Sequence, residues 1–100
     1  MIKHIVFWGL KEKACGNDKA TNAQLMKEKL EALNGQIPGL LKLEVGIDFS
    51  HTEMSADVAL YSEFANKEDL KIYDAHPLHC VVKTFVGEVK SSRQVVDYEI

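Results

Sequence analysis

Apolar residues occupy most positions at the start of the chain. Branched and aromatic side chains dominate residues 2–10, IKHIVFWGL, and this composition predicts a first strand. Side chains alternate in direction along a strand, so both of its faces are apolar. One face carries His4, Val6, Trp8 and Leu10, and the other carries Ile5 and Phe7.

A helical period follows the turn-forming sequence CGND at residues 15–18. Thr21 and Gln24 match a capping box, which predicts the start of a first helix. Gly35 and Pro38 are expected to end this helix. Its core positions are Met26, Leu30 and Leu33.

Two further strands are predicted in the middle of the chain. In residues 40–47, LLKLEVGI, apolar and charged positions alternate, which is typical of a half-buried strand. Residues 57–64, DVALYSEF, have the composition of another strand and follow a polar loop. The apolar positions of the first of these strands are Leu41, Leu43, Val45 and Ile47.

The last third of the chain predicts a broken helical segment and a final strand. Asn66 can cap a short helix that carries Leu70 and Tyr73, and Pro77 suits the first turn of the next helix. Residues 93–100, RQVVDYEI, predict the last strand. The core positions of the second of these helices are Leu78, Val82, Phe85 and Val89.

The element order βαββαβ predicts a ferredoxin-like α+β sandwich that forms a single domain over residues 1–100. Helices cover one side of such a sheet, but the other side here is apolar too, with Ile5, Phe7, Ala59 and Tyr61. A contiguous apolar patch on a small domain is typical of a subunit interface. We therefore expect a homodimer built sheet to sheet, a dimeric α+β barrel; a monomer with an apolar sheet face is the alternative.

Composition narrows the classes of partner. The chain has 100 residues, 46% of them hydrophobic and 27% charged, with a formal net charge of −3. No basic stripe is present to follow a phosphate backbone, and no segment has the length of a membrane span, so we expect neither nucleic acid nor membrane as a partner. Cys15 and Cys80 have no metal-ligand or disulfide spacing. The expectation is a cytoplasmic protein with free thiols and no cofactor.

The sequence IYDAHPLHCV, residues 72–81, concentrates candidate chemistry. Pro77 places His79 in the first turn of a helix, where the positive end of the helix dipole favours a neutral imidazole. A neutral His79 could accept a proton near neutral pH, and the Tyr73 hydroxyl could orient it or polarise a carbonyl. His4 faces the helices and could border the same cavity. In the structural alternative, His76 caps the helix, while Tyr73 and His79 serve only packing.

The order and spacing of several segments resemble the stress-responsive A/B barrel (Dabb) family of dimeric α+β barrel proteins. These segments are KHIVFW, IPGLLKLEVG, DVALYSEF, YDAHPLH and VVDYEI. The resemblance implies the fold predicted above and a homodimer, and it implies little about chemistry. One plant branch of the family consists of cofactor-free polyketide cyclases, whose catalytic tyrosine and histidine fall on Tyr73 and His79, with a further cavity histidine on His4.

The sequence also departs from that branch. Val58 stands where the cyclases have another cavity histidine, which argues against the same cyclase reaction. We predict Trp8, Val58 and Phe85 as residues that contact a small apolar or aromatic ligand. We expect no metal bound by side chains, although some members of the family hold magnesium on backbone carbonyls after the first helix, at residues 33–39 here.

Two classes of function follow. One is a homodimer that binds a small molecule or acts in a stress response without catalysis. The other is a cofactor-free cyclase or lyase that uses His79 and Tyr73 as an acid–base pair on a keto or phenolic substrate. A sizeable cavity bordered by both groups would favour binding or catalysis, whereas a core filled by Trp8, Phe64 and Phe85 would favour a structural role.

Overall fold

A computed structural model describes all of residues 1–100. It contains three helices, one main sheet and one short hairpin. In chain order the elements are β1 (Ile2–Leu10), β2 (Lys13–Ala14), β3 (Asn17–Asp18), α1 (Lys19–Glu31), β4 (Leu40–Ile47), β5 (Val58–Phe64), α2 (Lys67–Ala75), α3 (Pro77–Val89) and β6 (Lys90–Glu99). None of the helices has the length and apolar composition needed to cross a membrane.

The main sheet is antiparallel, with the strand order β4-β5-β1-β6. Strand β1 lies at its centre, where Ile5 is opposite Tyr61 of β5 and Val96 of β6. This order, with the helices on one side, is the ferredoxin-like α+β fold, and the predicted fold class is confirmed. All four long strands lie where the sequence predicts strands.

The core lies between the sheet and the helices. A cluster of 18 buried hydrophobic residues fills it, and the even-numbered positions of β1 contribute Val6, Trp8 and Leu10. Met26 and Leu30 cover them from α1, as the helical spacing predicts. Asn66 caps α2 by accepting a hydrogen bond from the Asp69 N–H at 2.9 Å, which confirms the predicted cap.

The first helix begins earlier than predicted. The β2–β3 hairpin turns at Cys15 and Gly16, both with positive φ, and delivers Asp18 to the start of α1. Asp18 Oδ1 accepts a hydrogen bond from the Thr21 N–H at 2.8 Å, so Asp18 is the N-cap and the predicted capping box at Thr21 is wrong.

The core-facing row of α3 also differs from the prediction. Leu78 is exposed, whereas Val86 is buried together with Val82 and Val89. The buried row therefore begins at His79, one residue after Leu78. In β4, Leu41 is exposed because the pairing with β5 shifts between Leu40 and Lys42.

The sheet side away from the helices is apolar and open. Phe7, Val96 and Tyr98 are 40%, 52% and 43% exposed, and they lie on the same side as Ile5, Ala59 and Tyr61. Strand β6 has no buried residue, although it pairs with β1 along its whole length. A single protomer thus leaves an apolar surface at the centre of its outer sheet face. The charged residues on the same side are Lys3, Lys42, Glu44 and Glu63.

Deleting residues 95–100 is expected to prevent folding. The deletion leaves the β1 backbone without its β6 partner from Ile2 to Val6, at the centre of the sheet. Circular dichroism during urea unfolding measures the effect, and deletion of Ile100 alone, which lies outside β6, is the control. An unchanged cooperative transition after the longer deletion would contradict the role given to β6.

Candidate functional site

Two adjacent spaces lie between the sheet and the helix pair α2–α3. The inner cavity, of about 130 Å³, reaches the core at Val6, Leu30 and Leu60. The outer cleft, of about 370 Å³, runs along β6 past Val95 and Asp97. Both spaces are bordered by the same four residues, namely His4, Tyr73, Asp74 and Arg93.

The break between α2 and α3 positions His79. In a continuous helix the Tyr73 carbonyl would accept a hydrogen bond from the N–H of residue 77, but Pro77 has no N–H. The Tyr73 carbonyl instead accepts from the His76 N–H at 3.1 Å and from His79 Nδ1 at 3.0 Å. His76 caps α3, because its Nδ1 accepts a hydrogen bond from the Leu78 N–H at 3.1 Å.

The hydrogen bond to the Tyr73 carbonyl fixes the tautomer of His79. A carbonyl oxygen only accepts, so Nδ1 must carry the proton, and in the neutral ring Nε2 is then an acceptor. Burial is the main cause that lowers the pKa of His79, and the nearby Lys83 charge lowers it further. The ring is therefore neutral near pH 7, with Nε2 able to accept a proton or a hydrogen bond.

Tyr73 provides a donor beside this acceptor. Its ring is stacked on the His79 ring, with centroids 3.9 Å apart and planes 24° from parallel. No side-chain or backbone group hydrogen-bonds to the Tyr73 hydroxyl, and burial strongly raises its pKa. The hydroxyl thus keeps its proton throughout the physiological pH range and can only donate to, or accept from, a molecule in the cavity.

His4 completes the aromatic border of the site. It meets the Tyr73 ring edge to face at 6.2 Å, and its Nδ1 contacts the Asp97 carboxylate. Asp97 is the cross-strand partner of His4 on β6. His4 is thereby held by the sheet itself, whereas Tyr73 and His79 are held by the helix break.

Charged side chains surround the inner cavity. Lys83 forms an ion pair with Asp74 at 3.2 Å and also donates to the Asp74 carbonyl at 2.9 Å. Lys90 and Arg93 border the same cavity and form no ion pair. With one carboxylate, Asp74, against three cations, the lining carries an excess of positive charge.

The structure brings together four of the six predicted site residues. His79, Tyr73, His4 and Trp8 border the inner cavity. Val58 and Phe85 border neither space: Val58 is buried under the helices, and Phe85 lies beneath Lys29 of α1, with the Lys29 Nζ 5.1 Å from the ring centroid. The predicted ligand contacts of these two residues are therefore not found at this site.

Sequence reasoning missed Arg93, Lys90 and Lys83. Arg93 is directly opposite Trp8 in the β1–β6 register, so it shares the helix-facing side of the sheet. The period of two in β6 could have placed Arg93 on the same face as Val95 and Asp97, but the pairing of β6 with β1 was needed to set it beside Trp8.

No group of three or more His, Cys, Asp or Glu side chains is placed to hold a metal ion. The segment after α1 uses the carbonyls of Leu33 and Ile37 in turns, where they accept from the N–H groups of Gln36 and Leu40. A magnesium site on backbone carbonyls at residues 33–39 stays a prediction of the resemblance.

The family model of the stress responsive A/B barrel domain (Dabb) matches residues 2–100. The chain belongs to this family. A Dabb protein from Mesorhizobium loti with a ferredoxin-like fold has a TM-score of 0.70 and 24% identity, and the match covers 99% of this chain and 95% of that one. No curated protein matches the chain.

Other solved structures are similar to this Dabb chain over almost its whole length. A dimeric ferredoxin-like protein of unknown function from Bacteroides fragilis is 38% identical, with 99% of this chain and 95% of that chain covered and a TM-score of 0.87. A hydroxynitrile lyase from Passiflora edulis is 18% identical, with 99% and 92% covered and a TM-score of 0.78. The similarity to the lyase shows the fold alone.

Lowering the pH is expected to destabilise this Dabb protein through His79. Its folded pKa lies below the ordinary value of 6.5, mainly because of burial, so the unfolded chain binds the proton more readily. The stability that neutral His79 contributes is fully present above the unfolded pKa and is lost as the pH falls through the folded pKa. Urea unfolding of the native protein and of His79→Gln, at about pH 7.5 and about pH 5, measures this loss.

The groups that face His79 stay the same in both proteins. These are Tyr73, Asp74 and Lys83, and the other three histidines are also shared, so the difference between the two proteins reports on His79 itself. The native protein should lose more stability than His79→Gln over this pH range. Equal losses would contradict a buried neutral His79.

Proposed function

We propose that this Dabb protein is a homodimer that binds a small organic molecule in the inner cavity and outer cleft. The observation that carries this proposal is the pair of unused polar groups at one cavity: His79 Nε2 as acceptor and the Tyr73 hydroxyl as donor. Neither atom is sealed in the core, so a bound molecule can reach both of them from the cavity. A ligand with one donor and one acceptor would supply both partners at once.

The dimensions of the two spaces support a small ligand. Ligand sites usually measure about 300–1,000 Å³, and the outer cleft at about 370 Å³ falls in this range. The inner cavity of about 130 Å³ is smaller and is comparable to a cavity of about 150 Å³ that accepts benzene. A single aromatic ring is thus the expected occupant of the inner part.

The open face of the sheet supports the homodimer. Phe7, Val96 and Tyr98 form an exposed apolar surface on the side opposite the cavity. The similar proteins from Bacteroides fragilis and Thermobifida fusca are described as dimeric. A second copy placed face to face would bury this surface and also cover β6, which has no buried residue in one protomer.

A cofactor-free cyclase or lyase is the second candidate, and the fixed tautomer of His79 favours it. His79 Nε2 could remove a proton from a carbon next to a carbonyl, while the Tyr73 hydroxyl donates to the carbonyl oxygen that gains negative charge. His79 then holds the proton and returns it to the product. The hydroxynitrile lyase from Passiflora edulis has the same fold, which supports the scaffold but not the reaction.

Replacing His79 by Ala should distinguish a binding protein from an enzyme. Acetophenone serves as a keto probe: its binding is followed by calorimetry and the deuterium exchange of its methyl protons by NMR. A lost hydrogen bond costs about 0.5–1.5 kcal/mol of binding free energy, whereas loss of a general base lowers the exchange rate by about 10²- to 10⁴-fold. The Tyr73→Phe variant removes the hydroxyl alone and should weaken binding similarly.

The variant His76→Ala is the matched control, because His76 only caps α3. It should lower the free energy of unfolding by about 1 kcal/mol and leave acetophenone binding unchanged. The proposed binding function is wrong if acetophenone, phenol, benzoate and benzamide all fail to bind the native protein. If His79→Ala lowers the free energy of unfolding but leaves acetophenone binding unchanged, His79 has only a structural role.

Replacing Phe7 by Glu is expected to separate the homodimer. The change places an unpaired carboxylate in the centre of the apolar sheet face. Light scattering coupled to gel filtration measures the molar mass, and Val81→Glu on the exposed side of α3 is the control that should stay dimeric. A monomeric native protein would contradict the proposed assembly.

A further inference from the structure

Trp8 has a buried hydrogen-bond donor without a partner. Its side chain borders the inner cavity and is 5% exposed. Its Nε1 is the buried side-chain polar atom for which the chain provides no hydrogen-bond partner. Buried indole N–H groups usually find an acceptor, so an acceptor from outside the chain would complete this one.

Positive charge lies next to this donor. Arg93 is the cross-strand partner of Trp8 and shares its side of the sheet, so their Cβ atoms are about 5 Å apart. Arg93 borders both the inner cavity and the outer cleft, and its charge acts on the Tyr73 hydroxyl. Lys90 lies at the same end of β6 and has no carboxylate partner.

The remaining lining is apolar at the inner end. Val6, Leu60, Val82 and Val86 border the cavity there, and none of them offers a polar side-chain atom. A flat apolar body with an anionic acceptor at one end therefore fits Trp8, Arg93 and this apolar lining, in addition to the donor and acceptor that His79 and Tyr73 require.

We propose that this site selects small aromatic carboxylates, with the carboxylate accepting hydrogen bonds from Trp8 Nε1–H and the Arg93 guanidinium. Lys90 adds attraction for the anion at the cavity edge. The aromatic ring packs on Val82 and Val86, and the space of about 130 Å³ suits one ring. This inference rests on the proposed binding function, to which it adds the class of ligand and a role for Trp8 and Arg93.

Benzoate and its neutral isostere benzamide are the probes for the charge. Calorimetric titration of the native protein should give a dissociation constant for benzoate that is at least about tenfold lower than that for benzamide. Only benzoate forms charge-assisted hydrogen bonds. Arg93→Gln should remove most of this preference. Lys13→Gln, which makes the same change of charge on β2 away from the cavity, should leave it intact.

Trp8 is the only tryptophan, so the native protein has a single indole N–H signal. In ¹⁵N–¹H spectra, saturating benzoate should move this signal downfield and slow its exchange with water, as expected for a newly formed hydrogen bond. Toluene fills the cavity without an acceptor and should not produce that shift. This measurement uses the native chain and does not depend on whether Trp8→Phe folds.

The outcomes separate the two proposals. Equal binding of benzoate and benzamide, or a preference that survives Arg93→Gln, would overturn the selection of carboxylates while leaving the binding function in place. If benzoate does not shift the indole signal, Trp8 Nε1–H does not donate a hydrogen bond to the ligand. If benzoate, benzamide, acetophenone and phenol all fail to bind, both the ligand class and the proposed function are wrong.

Discussion

The missing N–H of Pro77 is the constraint on which the site depends. It frees the Tyr73 carbonyl from its helical partner, and His79 of the next helix takes the vacant position at 3.0 Å. The Asp74 carbonyl is used in a similar way, because it accepts from Lys83 at 2.9 Å. Side chains of α3 therefore donate hydrogen bonds to the free carbonyls at the C-terminal end of α2. These bonds fix the angle between the two helices, the stacking of Tyr73 on His79 and the tautomer of His79.

Most of the fold follows from local patterns in the sequence. The strands at residues 2–10 and 58–64 follow from their branched and aromatic composition, and the strand at residues 40–47 follows from its alternation. Asn66 and Pro77 mark the helix starts that the structure has. The error in α3 arose because a polar residue occupies its buried row. His79, Val82, Val86 and Val89 form that row. A search for apolar residues alone takes Leu78 and Phe85 in place of His79 and Val86. The cap at Asp18 was missed because the hairpin before it is too short to give a period of its own.

The candidate site divides into a local part and a part that depends on strand pairing. Tyr73 and His79 lie six residues apart around one helix break, so their proximity is encoded locally. Arg93 meets Trp8 only through the β1–β6 register, in which strands from opposite ends of the chain pair. Val58 was expected at the cavity from a family alignment, but the helices cover it completely. The sequence therefore predicted the aromatic and histidine residues of the site, and it did not predict the cations that α3 and β6 supply.

The alternation of β1 links the two proposed properties of the protein. His4, Val6 and Trp8 face the cavity, while Ile5 and Phe7 face the open side of the same strand. A shift of β1 by one residue would exchange these sets, so it would bury His4 in the subunit interface and turn Phe7 into the cavity. Pairing with a second copy, as proposed, would hold β1 in register from one side, and the proposed ligand on Trp8 would hold it from the other. Each interaction therefore selects the same register, and we expect ligand binding and dimer stability to strengthen one another.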